Sequence, residues 1–314
     1  MIPLTMILSV VALITVFTLT ASYVCFYLIF YSPKRKGPEE EYPIPEGDIY
    51  EVYREDMVRW IDESRALPHR DVSVTSFDGL TLRGKYYEYE KGAPIEILLH
   101  GYKGTALRDL SGGIYRCHAL GHSVLIADHR GAGSSDGNVI TFGAKESRDC
   151  LKWIDLVLHQ IDPDARIILS GISMGAATVL ICAGGKLPEN VVGVLADCPY
   201  TSAEEIIKKV MTDEGYPPRL LYPFALLGAR IFGRFNIDDA SPIDAVKRCR
   251  IPVLLYHGDT DDFVPCAMSE KLYDACASAK KLVKIHGAGH GLALPVDRDT
   301  YIKEASRFFE PYLK

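Results

Sequence analysis

The chain has 314 residues, of which 48% are hydrophobic and 24% charged, and its formal net charge is −6. This composition is that of a folded protein and excludes a disordered, collagen-like or disulfide-scaffold chain. The 35 basic residues form no dominant block, so we expect no nucleic-acid partner.

The first 33 residues carry no Asp, Glu, Lys, Arg or His. An α-helix needs only about 20 apolar residues to cross a hydrocarbon core of about 30 Å. A cleaved signal peptide is the weaker alternative because a basic start and a small-residue cleavage site are both missing. We therefore expect a single uncleaved transmembrane anchor over residues 1–33, with Tyr23, Tyr27 and Tyr31 near the membrane interface.

A short polar segment follows the apolar run. Residues 34–48 are rich in Pro, Gly and charge, and we interpret them as a linker to a domain over residues 49–314. The basic cluster Lys34, Arg35 and Lys36 predicts a cytoplasmic side for this domain. Eight cysteines without a CxxC pair agree with free thiols in a reducing compartment, and their spacing matches no zinc site.

Beyond a helical segment at residues 49–67, short apolar runs alternate with helical segments. The predicted strands are residues 72–77, 80–87, 95–100, 123–128, 166–170, 191–197, 251–257 and 282–286. Helices between them, such as residues 141–160 and 174–184, complete βαβ units. The fold class is therefore α/β, with a mostly parallel central sheet, helices on both faces and an antiparallel edge made by the first two strands.

One interval breaks this alternation. Residues 199–250 are longer than one crossover helix requires, and they contain Pro217, Pro218, Pro223 and an apolar stretch at residues 220–232. We interpret residues 199–240 as a helical cap inserted over the strand ends. The alternative is a long crossover without a function of its own.

The strongest chemical signal is Gly-Ile-Ser-Met-Gly at residues 171–175, which follows a predicted strand and opens a predicted helix. Glycines flank a nucleophile on such a sharp turn because side chains there would collide. The helix N-terminus beneath Ser173 favours developing negative charge. Ser173 is therefore predicted as a nucleophile, and a hydroxyl nucleophile needs a base that a carboxylate orients.

At this point the sequence resembles the α/β-hydrolase superfamily, in particular its bacterial serine-aminopeptidase-like or BEM46-like branch. The resemblance covers about residues 72–313 and leaves the anchor outside. It implies an α/β-hydrolase fold with an inserted helical cap, preceded by a single transmembrane helix. The matching pieces, in the family's order, are residues 98–102 (LLHGY), 128–135 (DHRGAGSS), 171–175 (GISMG), 257–265 (HGDTDDFVP) and 287–290 (GAGH).

The resemblance also implies the partners of the nucleophile. The family's HGxxDxxVP pattern places the catalytic acid at Asp261, with Asp259 and Asp262 as turn residues beside it. Asp197 is a contender, because some family members carry the acid after the preceding strand. The base position falls on His290.

The same resemblance predicts an oxyanion hole made by the backbone N–H groups of Tyr102 and Met174. Three further histidines, His100, His257 and His286, are interpreted as structural residues at strand ends.

The implied activity is that of a serine hydrolase that cleaves carboxylic ester or thioester bonds through an acyl-enzyme, without a metal or an organic cofactor. The apolar cap and the anchor favour a small-molecule or lipid-like acyl substrate, and Lys103 is either solvated or favours an anionic one. Peptidase, aminopeptidase or acyltransferase chemistry and a non-catalytic binding role are the alternatives. An aminopeptidase needs acidic groups for the substrate amine, and the candidates are Glu204, Glu205, Asp213, Glu214, Asp238 and Asp239.

Overall fold

A computed structural model describes residues 3–33 and 41–314 of the chain. The basic cluster at residues 34–36 and the first part of the predicted linker, residues 34–40, lie outside the described residues. The strands are β1 Arg70–Thr75, β2 Thr81–Tyr87, β3 Ile95–Leu99, β4 Ser123–Ala127, β5 Ile167–Ile172, β6 Val191–Asp197, β7 Val253–Gly258 and β8 Lys280–Ile285. The helices are α1 Leu4–Ile29, α2 Asp48–Glu51, α3 Arg54–Ala66, α4 Ala106–Ala119, α5 Glu146–Leu156, α6 Met174–Ala183, α7 Ala203–Asp213, α8 Pro218–Gly228, α9 Pro242–Val246, α10 Cys266–Ala275, α11 Ala293–Val296 and α12 Arg298–Phe309.

The strands form an eight-stranded sheet in the order β1-β2-β4-β3-β5-β6-β7-β8. The pairs β1–β2 and β2–β4 are antiparallel, and every other neighbouring pair is parallel. The prediction of a mostly parallel sheet with an antiparallel edge is therefore confirmed. Because parallel strands end at one edge, the loops after β3, β5, β7 and β8 meet there.

Helices cover both faces of this sheet, and successive strand residues point to opposite faces. On one face, Ile167 and Leu169 of β5 pack with buried residues of α5, α6 and α10, among them Trp153. On the other face, Ile168 packs in a cluster with Trp60 of α3. Each such buried side chain contributes about 1.5–3 kcal/mol to folding.

The helix predicted at residues 141–160 is wrong at its start, because α5 begins at Glu146. Phe142 and Gly143 have φ angles of 54° and 99°, which an α-helix does not allow. The carboxylate of Glu146 accepts hydrogen bonds from the backbone N–H groups of Thr141 and Gly143, at 2.8 and 2.9 Å, and so holds a turn before the helix. The end of the segment continues as a π-helical turn over Val157–Ile161.

The interval between β6 and β7 contains α7, α8 and α9. Ser202 caps α7 by accepting a hydrogen bond from the N–H of Glu205 at 3.1 Å. Pro218 occupies the first turn of α8, where the missing N–H has no helical acceptor to lose.

The candidate membrane helix α1 is long and apolar enough to cross a bilayer. At about 1.5 Å per residue, its 26 residues measure about 39 Å. The residues after α1 continue into the domain: the N–H of Ile140 donates to the carbonyl of Phe30 at 2.8 Å, and Tyr31 bridges to Val139. The residues directly after the helix are thus attached to the domain by backbone hydrogen bonds.

All eight cysteines lie in the described residues, and all are free thiols. Six of them are buried, and Cys25 and Cys266 are half-buried.

Candidate active site

Ser173 lies on the sharp turn between β5 and α6, at the edge where the parallel strands end. Its backbone has φ 54° and ψ −114°, a combination that side-chain-bearing residues rarely adopt. A Cβ atom on Gly171 would lie 2.3 Å from the carbonyl oxygen of Gly175, and one on Gly175 would lie 2.0 Å from that of Leu99. The two glycines are therefore required by close backbone contacts, as the sequence motif predicts.

His290, in the loop after β8, connects Ser173 to a carboxylate. Its Nε2 lies 2.9 Å from Ser173 Oγ, and its Nδ1 lies 2.8 Å from Asp261 Oδ2. Ser173 and Asp261 are almost fully buried, whereas the imidazole keeps some exposure. The structure therefore brings together the three side chains that the sequence singled out as nucleophile, base and acid.

Asp261 is held as an anion. Its Oδ1 accepts hydrogen bonds from the backbone N–H groups of Phe263 and Val264, at 3.0 and 2.8 Å, and its Oδ2 lies 3.3 Å from His257 Nε2. Burial raises the pKa of Asp261, but the bonds from His257 and His290 and from the backbone outweigh it and hold the pKa well below its usual range. A permanent negative charge therefore faces the His290 imidazole.

The competing carboxylates have other partners. Asp259 accepts from Gly287 N–H at 2.7 Å and lies 2.8 Å from His286 Nδ1, an arrangement that lowers the pKa of Asp259. Asp197 accepts a hydrogen bond from the hydroxyl of Tyr301 at 3.0 Å, and burial raises the pKa of Asp197 to about 6. Neither carboxylate is hydrogen-bonded to His290.

Of the histidines interpreted as structural, His100 and His257 bond to loop backbone, and His286 pairs with a carboxylate. The Nδ1 atom of His100 lies 2.8 Å from Gly101 O, and its Nε2 accepts from the N–H of His129 at 2.9 Å. His257 Nε2 lies 2.7 Å from Val264 O. His286 is exposed and pairs with Asp259, as described above.

The loop after β3 lies close to the nucleophile. A Cβ atom on Gly101 would lie 3.6 Å from Ser173 Cβ. Tyr102 follows Gly101, and Met174 is the first residue of α6, so its N–H has no acceptor within the helix. These are the two amides named in advance for an oxyanion hole.

Two carboxylates position this loop: Asp109, which the sequence analysis missed, and Asp128, which belongs to the piece at residues 128–135 that carries the family resemblance. Asp109 Oδ2 accepts from the N–H of Gly101 at 3.0 Å. Asp128 Oδ1 accepts from the N–H of Ala106 at 2.8 Å, and its Oδ2 accepts from that of Ser134 at 2.9 Å. The spacing of Asp109 from the LLHGY motif was the available signal, but its orientation depends on where α4 begins.

A cavity of about 940 Å³ opens on Ser173 and His290. Its lining is mainly apolar side chains, and a wall is formed by the segment from Pro45 to Tyr53 that includes α2. The hydroxyl of Tyr50 donates to the carbonyl of His290 at 3.1 Å. This segment, taken as linker and amphipathic helix from the sequence, therefore contacts the loop that holds His290.

A group that could hold a metal ion overlaps this site. Ligand atoms of Cys198, Asp261 and His290 all lie within 4.8 Å of one another. Two of the three are already hydrogen-bonded to each other in the Ser173 chain, so this cluster belongs to the hydrolytic geometry and defines no separate centre.

Comparison with known proteins places the chain in a family. A sequence model of the prolyl oligopeptidase family matches residues 114–314. The chain belongs to this family. The solved structure of the Pyrococcus furiosus esterase Pf2001 superposes on it with a TM-score of 0.67 and 19% identity, covering 91% of this chain and 99% of that one. The predicted α/β-hydrolase fold is confirmed.

Relatives of this prolyl oligopeptidase-family chain include members of the predicted branch. The uncharacterized protein YqkD of Bacillus subtilis is 28% identical over 238 residues, which are 76% of this chain and 78% of that protein. Lysophosphatidylserine lipase ABHD12 of Danio rerio is 28% identical over 212 residues, 63% of this chain and 52% of the relative. Protein bem46 of Schizosaccharomyces pombe is 29% identical over 165 residues, 52% and 50% of the two chains. The BEM46-like resemblance is confirmed, and the chain is a hydrolase of the α/β type.

Proposed function

We propose that this protein is a membrane-anchored serine hydrolase that cleaves carboxylic ester or thioester bonds, with Ser173 as nucleophile, His290 as general base and Asp261 as the orienting acid. The observation that carries this proposal is the continuous hydrogen-bonded chain from Ser173 Oγ through His290 to Asp261. Such a chain activates a hydroxyl that is otherwise a weak nucleophile.

In the acylation step, Ser173 Oγ attacks the carbonyl carbon while His290 Nε2 takes its proton. The N–H groups of Tyr102 and Met174 stabilise the resulting oxyanion, and the buried charge of Asp261 stabilises the imidazolium. Collapse of the tetrahedral intermediate breaks the ester or thioester bond, and His290 returns the proton to the leaving alcohol or thiol. Water, activated by His290, then releases the carboxylic acid from the acyl-enzyme and restores the Ser173 hydroxyl.

A lipid-like acyl substrate fits the cavity best. Its walls include the apolar side chains of Ile49, Met57, Trp60 and Leu294, which can accommodate a hydrocarbon chain. The name of the relative ABHD12, a lysophosphatidylserine lipase, supports an ester of this class. Lys103 donates to the carbonyl of Leu28 at 3.3 Å, which favours an anchoring role over recognition of an anionic substrate.

Most of the acidic candidates for an aminopeptidase site are already paired with bases. The ion pairs are Glu204 with Lys208, Glu205 with Lys271, Asp213 with Lys209 and Asp238 with Arg230. Asp213 is the member of the predicted set of six, all of them in the described residues, that lines the cavity. We therefore favour ester hydrolysis over recognition of a substrate amine.

The proposal also assigns the parts of the chain. Residues 1–33 are the anchor, residues 34–48 the linker and residues 49–314 the hydrolase domain, with a helical cap at residues 199–240. The basic residues at 34–36 support a single-pass protein whose domain faces the cytoplasm.

The full chain in detergent micelles provides the test. We expect it to hydrolyse 4-nitrophenyl octanoate and an octanoyl thioester, and to leave alanine 4-nitroanilide intact. Ser173→Ala should lower ester turnover by a factor on the order of 10⁴ or more. Ser241→Ala removes a hydroxyl that bonds to Asp244 outside the site and should match the wild type. Anilide cleavage in preference to esters, or full activity of Ser173→Ala, would contradict the proposal.

A further inference from the structure

Helix α1 has two parts that differ in exposure. Every residue from Leu4 to Phe17 is exposed, so this part buries no side chain against the domain. From Thr18 onward, buried and half-buried positions recur every three or four residues. They are Thr18, Ala21, Ser22, Cys25, Phe26 and Ile29. The buried positions of the helix therefore all lie in its second part.

The partner of this second part is α8, with the π-helical turn Ala229–Gly233 that follows it. A Cβ atom on Gly228 would lie 2.3 Å from the carbonyl oxygen of Ser22, so the two helices are in backbone contact. Aromatic rings extend the contact on both sides: Phe17 lies edge-on to Phe224 at 6.1 Å. On the other side Tyr23 meets Phe232 at 5.2 Å.

The length of the free part decides where this contact lies relative to a bilayer. Fourteen residues, from Leu4 to Phe17, measure about 21 Å, which is shorter than the roughly 30 Å hydrocarbon core. About 20 residues are needed, and they extend to Tyr23. When α1 spans the bilayer, the point where it crosses α8 therefore lies at the boundary of the hydrocarbon core or inside that core.

The exposed surface of α8 has the composition of a helix that lies at such a boundary. Leu220 is 61% exposed, and Ile231 in the following turn is 44% exposed. Residues 215–235 contain no Asp or Glu and three arginines, of which Arg230 pairs with Asp238, so Arg219 and Arg234 are the basic residues relevant to a lipid surface. Apolar side chains next to basic ones suit the acyl–headgroup boundary of an anionic bilayer. The 11 residues of α8 measure about 16 Å, so this helix is too short to span the hydrocarbon core.

We propose that α8 and its π-helical turn, residues 218–233, form a second membrane-contacting element whose partner is the lipid surface, inserted into the leaflet where α1 ends. The inference rests on the part of the proposed function in which α1 crosses a bilayer, and it does not depend on the catalytic roles. Phe26, Tyr222 and Ala225 share a buried cluster with Met174, the residue after the nucleophile. One buried cluster thus connects the proposed lipid-contacting helix α8 to the candidate active site.

Tryptophan quenching by brominated lipids tests this in the full chain. The two native tryptophans, Trp60 and Trp153, are 3% and 1% exposed and give a constant background. The probes are Leu220→Trp in α8, Leu13→Trp in the free part of α1 and Leu151→Trp in α5, all at exposed positions. The vesicles contain phosphatidylcholine and phosphatidylglycerol, with and without bromine on the acyl chains.

We expect brominated lipid to reduce the added emission of Leu220→Trp and Leu13→Trp by about twofold or more, and to leave Leu151→Trp unchanged. Ile231→Trp repeats the test in the neighbouring turn if Leu220→Trp does not fold. Quenching of Leu13→Trp without quenching at 220 or 231 would overturn the proposal, whether water or a second copy covers α8. Absence of quenching at positions 13, 220 and 231 would show that α1 does not enter the bilayer, and this would also overturn the proposal. Hydrolase activity is measured separately, so its loss leaves this result interpretable.

Discussion

The hydroxyl of Tyr102 donates a hydrogen bond of 2.6 Å to the carbonyl oxygen of Ile29, the last residue of α1. That carbonyl has no acceptor role left within its own helix, because the final turn of an α-helix leaves its C=O groups without intrahelical donors. Tyr102 lies in the loop after β3, next to Gly101 and Ser173. The candidate membrane helix and the proposed oxyanion loop are therefore joined directly.

Removing the Tyr102 hydroxyl tests this connection. Tyr102→Phe keeps the ring, which packs 5.2 Å from that of Phe142, and deletes the bond to Ile29. We expect kcat for an ester to fall about three- to tenfold, the equivalent of about 1 kcal/mol for a neutral hydrogen bond. Tyr27→Phe, at an exposed tyrosine of α1, is the matched control and should leave kcat unchanged. Equal rates for the two variants would show that the bond does not position the loop.

Substitution of two neighbouring aspartates in one loop distinguishes the orienting acid from a turn residue. Asp261→Asn leaves the shape but removes the charge that faces His290, and we expect kcat to fall by a factor on the order of 10³–10⁴. Asp259→Asn disturbs only the exposed contact with His286 and Gly287 and should keep kcat within about twofold of the wild type. Steady-state kinetics of both variants, with their folding checked by circular dichroism, decides the assignment. A large loss in Asp259→Asn alone would reverse it.

Asp197 predicts a pH dependence of stability. Burial raises the pKa of Asp197 to about 6 in the folded state, above the ordinary value of about 4. The folded protein keeps this proton while the unfolded chain has lost it, so the free energy of unfolding falls as pH rises from about 4 to about 6. The loss is about 3 kcal/mol for a shift of two units.

Asp197→Asn cannot lose a proton. Its free energy of unfolding, relative to that of the wild type, should therefore increase from about pH 4 to about pH 6 and stay constant at higher pH. The asparagine oxygen can still accept the hydrogen bond from Tyr301. Urea unfolding of both proteins at pH 4 to 8 measures the difference. A difference that does not change with pH would show that the wild-type carboxyl ionises normally in the fold.

A buried charge cluster beneath the nucleophile turn predicts a stability effect. Glu96 on β3 contacts Arg116 at 2.6 and 3.1 Å, His122 at 2.8 Å and Ser170 at 2.7 Å. Burial raises the pKa of Glu96, but Arg116 and His122 outweigh it and leave the pKa well below its usual range. Because Glu96→Gln leaves the Arg116 charge uncompensated, we expect a loss of about 3–5 kcal/mol in the free energy of unfolding.

The matched control for this cluster is Glu270→Gln, which breaks the exposed ion pair with Lys284. Exposed pairs contribute about 0–1 kcal/mol, so this variant should unfold close to the wild type. Denaturant unfolding of both variants is the measurement, and similar losses in the two would contradict a special role for the buried cluster.

Much of this fold could be predicted because its strands are short apolar runs between helical segments. Ser173 followed from the strand–turn–helix context of its motif. The backbone approaches positions 171 and 175 so closely that only glycine fits at either, which makes the motif recognisable. Asp261 did not follow from spacing, because three carboxylates crowd one loop and their orientations depend on backbone hydrogen bonds such as that from Val264. The resemblance to the family supplied that residue.

Long-range contacts could not be predicted from the pattern. Nothing in the N-terminal run indicates that its last turn bonds to Tyr102, or that Ser22 meets Gly228, since these contacts depend on tertiary packing. The same limit explains the error at residue 141. The stretch has helical periodicity, but the positive φ of Phe142 and the hydrogen bond that the carboxylate of Glu146 accepts from Gly143 form a turn there instead of a helix.

The most direct measurement of the central claim is the site of covalent labelling by a fluorophosphonate in the full, folded chain. We expect one phosphonyl adduct, which peptide mass spectrometry maps to Ser173, and labelling that is strongly slowed in His290→Ala. An adduct on a different serine, or no adduct on folded wild-type protein under conditions that label a control hydrolase, would contradict the claim.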